Sequence, residues 1–151
     1  MQAQTAPSDL RLTLVERGDE PAKFRAAEEL YRYNVQQTGI ADRRPVGVSL
    51  CDPATGETLG GLWGRTELGL LFLDMFFLPE GLRGQGHGAR LLDAVEAEAR
   101  RRGCRRAVVE TSSFQAPEFY RRHGYREFGR VEFGLGGHAR IYLSKELEPT
   151  A

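Results

Sequence analysis

The spacing of apolar residues along this chain changes several times, and each change marks an element. Leu10, Leu12 and Leu14 alternate with polar positions and predict a half-buried strand. Over residues 21–34, Phe24, Ala27, Leu30 and Tyr31 recur at helical spacing, with Pro21 tolerated in the first turn. Residues 38–45 form a polar connection. Residues 46–51 and 58–65 read as strands on either side of the turn Asp52-Pro53-Ala54-Thr55-Gly56. A second turn at 66–69 leads into residues 70–78, almost continuously apolar and therefore a central strand.

Further along, Leu91, Leu92, Val95 and Ala99 define one face of a helix over 89–102, with Glu96, Glu98, Arg100 and Arg101 toward water. Gly103 ends it. Residues 106–110 form a strand, and 116–123 a short helix with Pro117 in its first turn and Gly124 behind it. Strands over 127–133 and 140–147 flank Gly134-Leu135-Gly136-Gly137. The order is strand, helix, three strands, helix, strand, helix and two strands, which predicts an α/β chain with a mixed sheet. The last two strands would leave an edge carrying Ile141, Leu143 and Leu147. Edges of that kind are paired or covered, so a homodimer is expected.

Composition narrows the function. A chain of 151 residues suits one domain with a real core. Its 21 basic and 21 acidic residues balance, which speaks against a dedicated nucleic-acid binder. Arg100, Arg101, Arg102, Arg105 and Arg106 read as the solvated end of a helix, with cations near its negative pole. Cys51 and Cys104 are isolated, and His87, His123 and His138 are scattered, so no metal set is expected. No apolar run approaches the ~20 residues needed to span a bilayer. Residues 1–8 read as a loose tail without the pattern of a signal peptide. A cytoplasmic setting, with no membrane partner, is the simplest expectation.

The candidate chemistry begins at Arg83-Gly84-Gln85-Gly86-His87-Gly88, which joins the central strand to the helix from Ala89. Alternate glycines let the backbone turn and let a ligand approach the main chain. The helix end behind them offers unpaired N–H groups and the positive pole of its dipole, a site for phosphate. Arg83 adds a fixed charge. A P-loop would need Gly-Lys-Ser/Thr where Gly88-Ala89-Arg90 stands. A dinucleotide fingerprint fits Gly84, Gly86 and Ala89, with Glu110 downstream. However, it should follow its strand directly, and too little chain remains for a doubly wound domain.

At this point the chain resembles the GNAT superfamily of acyl-CoA N-acyltransferases. Residues 83–88 follow that family's pyrophosphate signature, Q/R-x-x-G-x-G/A. Ala116, Phe119, Tyr120, Gly124 and Tyr125 follow its A-x-x-F-Y-x-x-x-G-F/Y segment. The resemblance implies a single domain over 9–148, a mixed, mostly antiparallel sheet of about seven strands with splayed central parallel strands, and about four helices. It implies acetyl-CoA or a related acyl-CoA as donor. The pantetheine arm would run along the main chain of Phe76, Phe77 and Leu78. The pyrophosphate would lie on Arg83, Gly84, Gln85, Gly86, His87, Gly88 and Ala89. Ser113 stands where many members place an asparagine that touches the cofactor, and Phe119 and Tyr120 would border it.

The implied reaction is attack of an uncharged primary amine on the thioester. Tyr120 would protonate the departing sulfur, and Glu110 or Asp74 would take the ammonium proton, directly or through water. His138 and Arg140 are candidates for the rim of the acceptor pocket. The acceptor could be a small metabolite, a drug-like amine, a peptide N-terminus or a lysine. The alternative is a catalytically silent CoA-binding module of the same fold.

Overall fold

The computed structural model describes residues 9–149. The chain divides into two compact units, Met1–Ala41 and Asp42–Ala151. The expected tail over residues 1–8 lies outside the described residues.

Among its described residues, the first unit contains one helix, α1 (Glu20–Thr38). It continues past Asn34, where the apolar period fades, because Gln36 and Gln37 are good helix formers and nothing yet breaks the backbone. It stops at Gly39, whose φ of 72° is left-handed and whose N–H bonds to the carbonyl of Val35. The strand expected over 10–14 does not form. Alternation supplies a strand's faces but not its neighbour, and no ladder of the sheet includes these residues.

The second unit holds the sheet. Its elements are β1 (Arg44–Cys51), β2 (Thr58–Glu67), β3 (Leu70–Phe77), a 3-10 turn (Glu80–Leu82), α2 (His87–Arg101), β4 (Arg106–Ser112), α3 (Pro117–Arg122), β5 (Arg126–Glu132) and β6 (Ala139–Glu146). The described residues thus form six strands and three α-helices rather than about seven and four. The strand order is β1-β2-β3-β4-β6-β5. Only β3 and β4 pair in parallel. Leu68 and Gly69, with φ of 53° and 80°, make the tight turn from β2 to β3.

The C-terminal edge differs from expectation. β6 lies between β4 and β5, so Ile141, Leu143 and Leu147 are core residues and β5 is the edge. Leu91, Leu92, Val95 and Ala99 of α2 are buried as their spacing predicts, in one cluster with Leu62, Leu71, Ala107 and Val109. Two polar residues depart from the pattern. Glu96 is only 2% exposed rather than facing water. Arg102 is not a solvated helix end: its guanidinium bonds Glu98, the carbonyl of Pro45 and the hydroxyl of Thr66, tying α2 to the start of β1 and the end of β2.

Two irregularities open the sheet at its centre. The parallel ladder runs only from Leu70↔Arg106 to Leu73↔Val109, although β3 continues to Phe77 and β4 to Ser112. Asp74 is the extra residue of a bulge against β2, because Trp63 pairs with Met75 while Gly64 pairs with Leu73. Beyond the bulge the inward positions change parity, from Leu71 and Leu73 to Phe76 and Leu78.

Candidate functional site

Where β3 and β4 part, a cavity of about 500 Å³ opens. β3 contributes Leu73, Asp74, Met75, Phe76 and Phe77, followed by Leu78 and Arg83. Glu110 and Thr111 line it from β4, and Tyr120 from α3. The cavity therefore gathers Asp74, Phe76, Phe77, Leu78, Arg83, Glu110, Tyr120 and Arg140 from the residues that the sequence singled out, while His138 is not among its lining.

The glycine loop adjoins this cavity through Arg83, whose Nε donates to the carbonyl of Leu78 at 2.9 Å. Gln85 closes the loop by donating to the carbonyl of Gly81 at 2.8 Å. Gly84 and Gly86 have φ of 73° and 85°, which L side chains rarely adopt, and a Cβ on either would meet nothing within 4 Å. Helix α2 starts at His87 with no side chain capping it, and its first bond runs from Arg90 N–H to Gly86 O. The N–H groups of His87, Gly88 and Ala89 thus have no partner within the helix. Open space before uncapped donors suits a phosphate. The His87 Nδ1 atom is buried without a hydrogen-bond partner.

Gly88 has a different task. A Cβ there would lie 3.1 Å from ring atoms of both Phe119 and Phe76, which stack at 5.1 Å between centroids. That glycine admits the ring pair rather than a ligand. Phe119 belongs to the same packing and is not part of the cavity wall.

Tyr120 is 3% exposed, and Phe76, Phe119 and Tyr125 present their rings to it edge-on at 6.3, 5.2 and 5.4 Å. Burial pushes its phenol well above the ordinary range, so it holds its proton at neutral pH. Asp74 and Glu110 are less enclosed. Each side chain is half exposed and paired with an arginine, Asp74 with Arg65 at 3.0 Å and Glu110 with Arg140 at 3.1 Å.

Ser113 falls outside the cavity wall. Its hydroxyl accepts the N–H of Ala139 at 3.0 Å and lies 3.4 Å from His138 Nδ1, so it ties the end of β4 to the start of β6. No motif marks Phe114, Gln115 or Thr111 as cavity residues. Nor does a motif mark the bonds of buried Glu96 to Tyr125 and Lys145. The signal was available: Glu96 stands four residues after Leu92 and three before Ala99, on the rim of the apolar stripe.

A smaller hollow of about 290 Å³ lies near the start of β3, where Arg101 and Arg102 are both engaged by Glu98. Among the described residues, no group of His, Cys, Asp or Glu is placed to hold a metal, and no helix is long and apolar enough to cross a membrane.

Comparison with known proteins agrees with the fold. The model of the acetyltransferase (GNAT) family matches residues 12–125. An acetyltransferase of Agrobacterium fabrum is 32% identical over 136 residues, covering 90% of this chain and 98% of that one. Blasticidin-S acetyltransferase of Streptomyces morookaense is 40% identical over 116 residues, 75% of this chain and 85% of its own. The crystal structure of a candidate acetyltransferase from Agrobacterium tumefaciens superposes with a TM-score of 0.85 at 30% identity. It covers 91% of this chain and all of its own.

Proposed function

The chain belongs to the GNAT family of acetyltransferases, and on that premise we propose that it moves the acetyl group of acetyl-CoA to a primary amine by direct attack in a ternary complex. The observation that carries this reading is the parting of β3 and β4 after Leu73 and Val109, with the buried Tyr120 on the wall of the resulting cavity. Residues 9–148 act as the catalytic domain.

The main chain of Phe76, Phe77 and Leu78, beyond the ladder with β4, receives the pantetheine arm. The pyrophosphate lies on the N–H groups from Gly84 to Ala89, with Arg83 at the rim. Bringing the amine and thioester into contact supplies much of the acceleration. The amine nitrogen bonds to the carbonyl carbon, the carbon–sulfur bond breaks, and Tyr120 gives its proton to the sulfur. Glu110 or Asp74 takes the proton from the ammonium, directly or through water. Main-chain N–H groups at the bulge stabilise the oxyanion. Ser113 contributes to donor binding only through the backbone that it fixes. A homodimer would form through the edge strand β5, where Phe128 and Val131 are exposed.

The test is release of free thiol from acetyl-CoA across a panel of primary amines that includes blasticidin S, alongside calorimetric titration with CoA, NAD and ATP. CoA binding with amine-dependent thiol release is expected. NAD binding without CoA binding would overturn the reading of the loop, and CoA binding without turnover would overturn the transfer.

A further inference from the structure

The cavity has two chemically different sides. Phe76 and Tyr120 face the α3 side, where they pack with Phe119 and Tyr125. Glu110 stands between buried Val109 and Thr111, and Arg140 between buried Ala139 and Ile141, so both project from the opposite face of the sheet. Phe77 follows Phe76 and has the opposite parity. On that second side, Met75, Phe77 and Phe114 are 59%, 51% and 62% exposed. Large apolar side chains gathered at a concave site, beside a few polar groups, mark a ligand surface.

Phe114 is exposed but braced. His138 meets its ring edge-on at 5.1 Å, Phe133 lies at 6.2 Å, and His138 is itself beside the Ser113 hydroxyl. A ring held in place before a ligand arrives loses little freedom on binding. Arg140 meets one carboxylate oxygen of Glu110 and also donates to the Ser112 hydroxyl at 3.0 Å. The carboxylate is thereby oriented toward the cavity, with its second oxygen available to a cation.

Resting on the acetyl-transfer reading, we propose that the acceptor is a small primary amine carried on a planar aromatic or heteroaromatic body. Phe114 and Phe77 form the platform for that body, and Glu110 faces the ammonium. A lysine side chain offers nothing flat to this surface. A cavity of about 500 Å³ that also admits the thioester end of the donor has room for a small body.

The test compares 2-phenylethylamine and tryptamine with hexylamine, an amino sugar and a lysine-containing peptide, all with saturating acetyl-CoA. The aromatic amines are expected to exceed hexylamine by about tenfold in kcat/KM, given the added worth of ring–ring contacts. Phe114→Leu keeps the apolar bulk and should abolish that preference. Phe114→Tyr should preserve it, and the KM for acetyl-CoA should not move in either variant. Equal kcat/KM for aromatic and alkyl amines would overturn the proposal while leaving acetyl transfer intact. Preference for the peptide, or a raised KM for acetyl-CoA in Phe114→Leu, would overturn it too. Failure of every amine would instead count against the transfer reading itself.

Discussion

The Tyr125 hydroxyl donates a 2.7 Å hydrogen bond to Glu96, a carboxylate that is otherwise enclosed by the core. Its other oxygen receives Lys145 Nζ at 2.8 Å, and Arg100 approaches at 3.6 Å. A buried charge is tolerable only while its partners remain. Lys145→Met should therefore cost about 1.5–3 kcal/mol, because it leaves the enclosed carboxylate with only Tyr125 and the more distant Arg100. Adding Glu96→Gln should restore a substantial part of that loss. Urea unfolding of the two single variants and the double variant measures the coupling, and additive losses would mean that the pair is not coupled.

The same region sets the response to alkali. Burial raises the proton affinity of both Tyr125 and Tyr120, and the Glu96 charge adds to it at Tyr125. In the unfolded chain both phenols lose their protons near pH ~10, while the native state keeps them. Stability from these groups is thus complete below about pH 10 and is lost as pH rises toward the higher native values. The urea midpoint should hold steady up to about pH 9 and fall beyond about pH 10. Tyr125→Phe should show a shallower fall across that range, and an equally steep one would assign the effect elsewhere.

Much of this architecture was legible because periodicity and punctuation agree. The apolar run from Leu70, the stripe Leu91, Leu92, Val95 and Ala99, and the stop at Gly103 each define an element that the structure contains. What the sequence hid depends on partners distant along the chain. Leu10, Leu12 and Leu14 alternate like a strand, but alternation does not reveal that no ladder includes them. The order of β5 and β6 is likewise invisible, so the buried Ile141 and Leu143 read as an edge. At the site, motif residues such as Arg83 and Tyr120 were found. The ion pairs of Arg65 with Asp74 and of Arg140 with Glu110 were not, since each joins two different strands.

The glycines of the loop should separate by task. Gly84→Ala and Gly86→Ala force an L residue into left-handed backbone, at about 1–2 kcal/mol each. They leave the space before the loop open. Gly86→Val should add a loss of CoA affinity of tenfold or more, because the branched side chain fills that space. Gly88→Ala should behave differently, lowering stability by about 1 kcal/mol through overpacking against Phe76 and Phe119, with less effect on the pyrophosphate site. Thermal unfolding and CoA titration on the four variants check this. A CoA affinity unchanged in Gly86→Val would remove the loop from the donor site.

Tyr120→Phe removes a hydroxyl from a ring held by three aromatic neighbours, so folding and CoA binding should survive. If that hydroxyl protonates the departing sulfur, the chemical step should slow by on the order of 10²-fold or more. The proton moves only during the reaction, so the loss belongs in kcat and not in the dissociation constant for CoA. Product release can mask part of the change in steady state, which makes a single-turnover rate the appropriate measurement. The raised proton affinity of Tyr120 adds a second signature: as the acid, it should remain competent up to at least about pH 10. An unchanged single-turnover rate in the phenylalanine variant would reduce Tyr120 to a packing residue and leave water or another group as the proton donor.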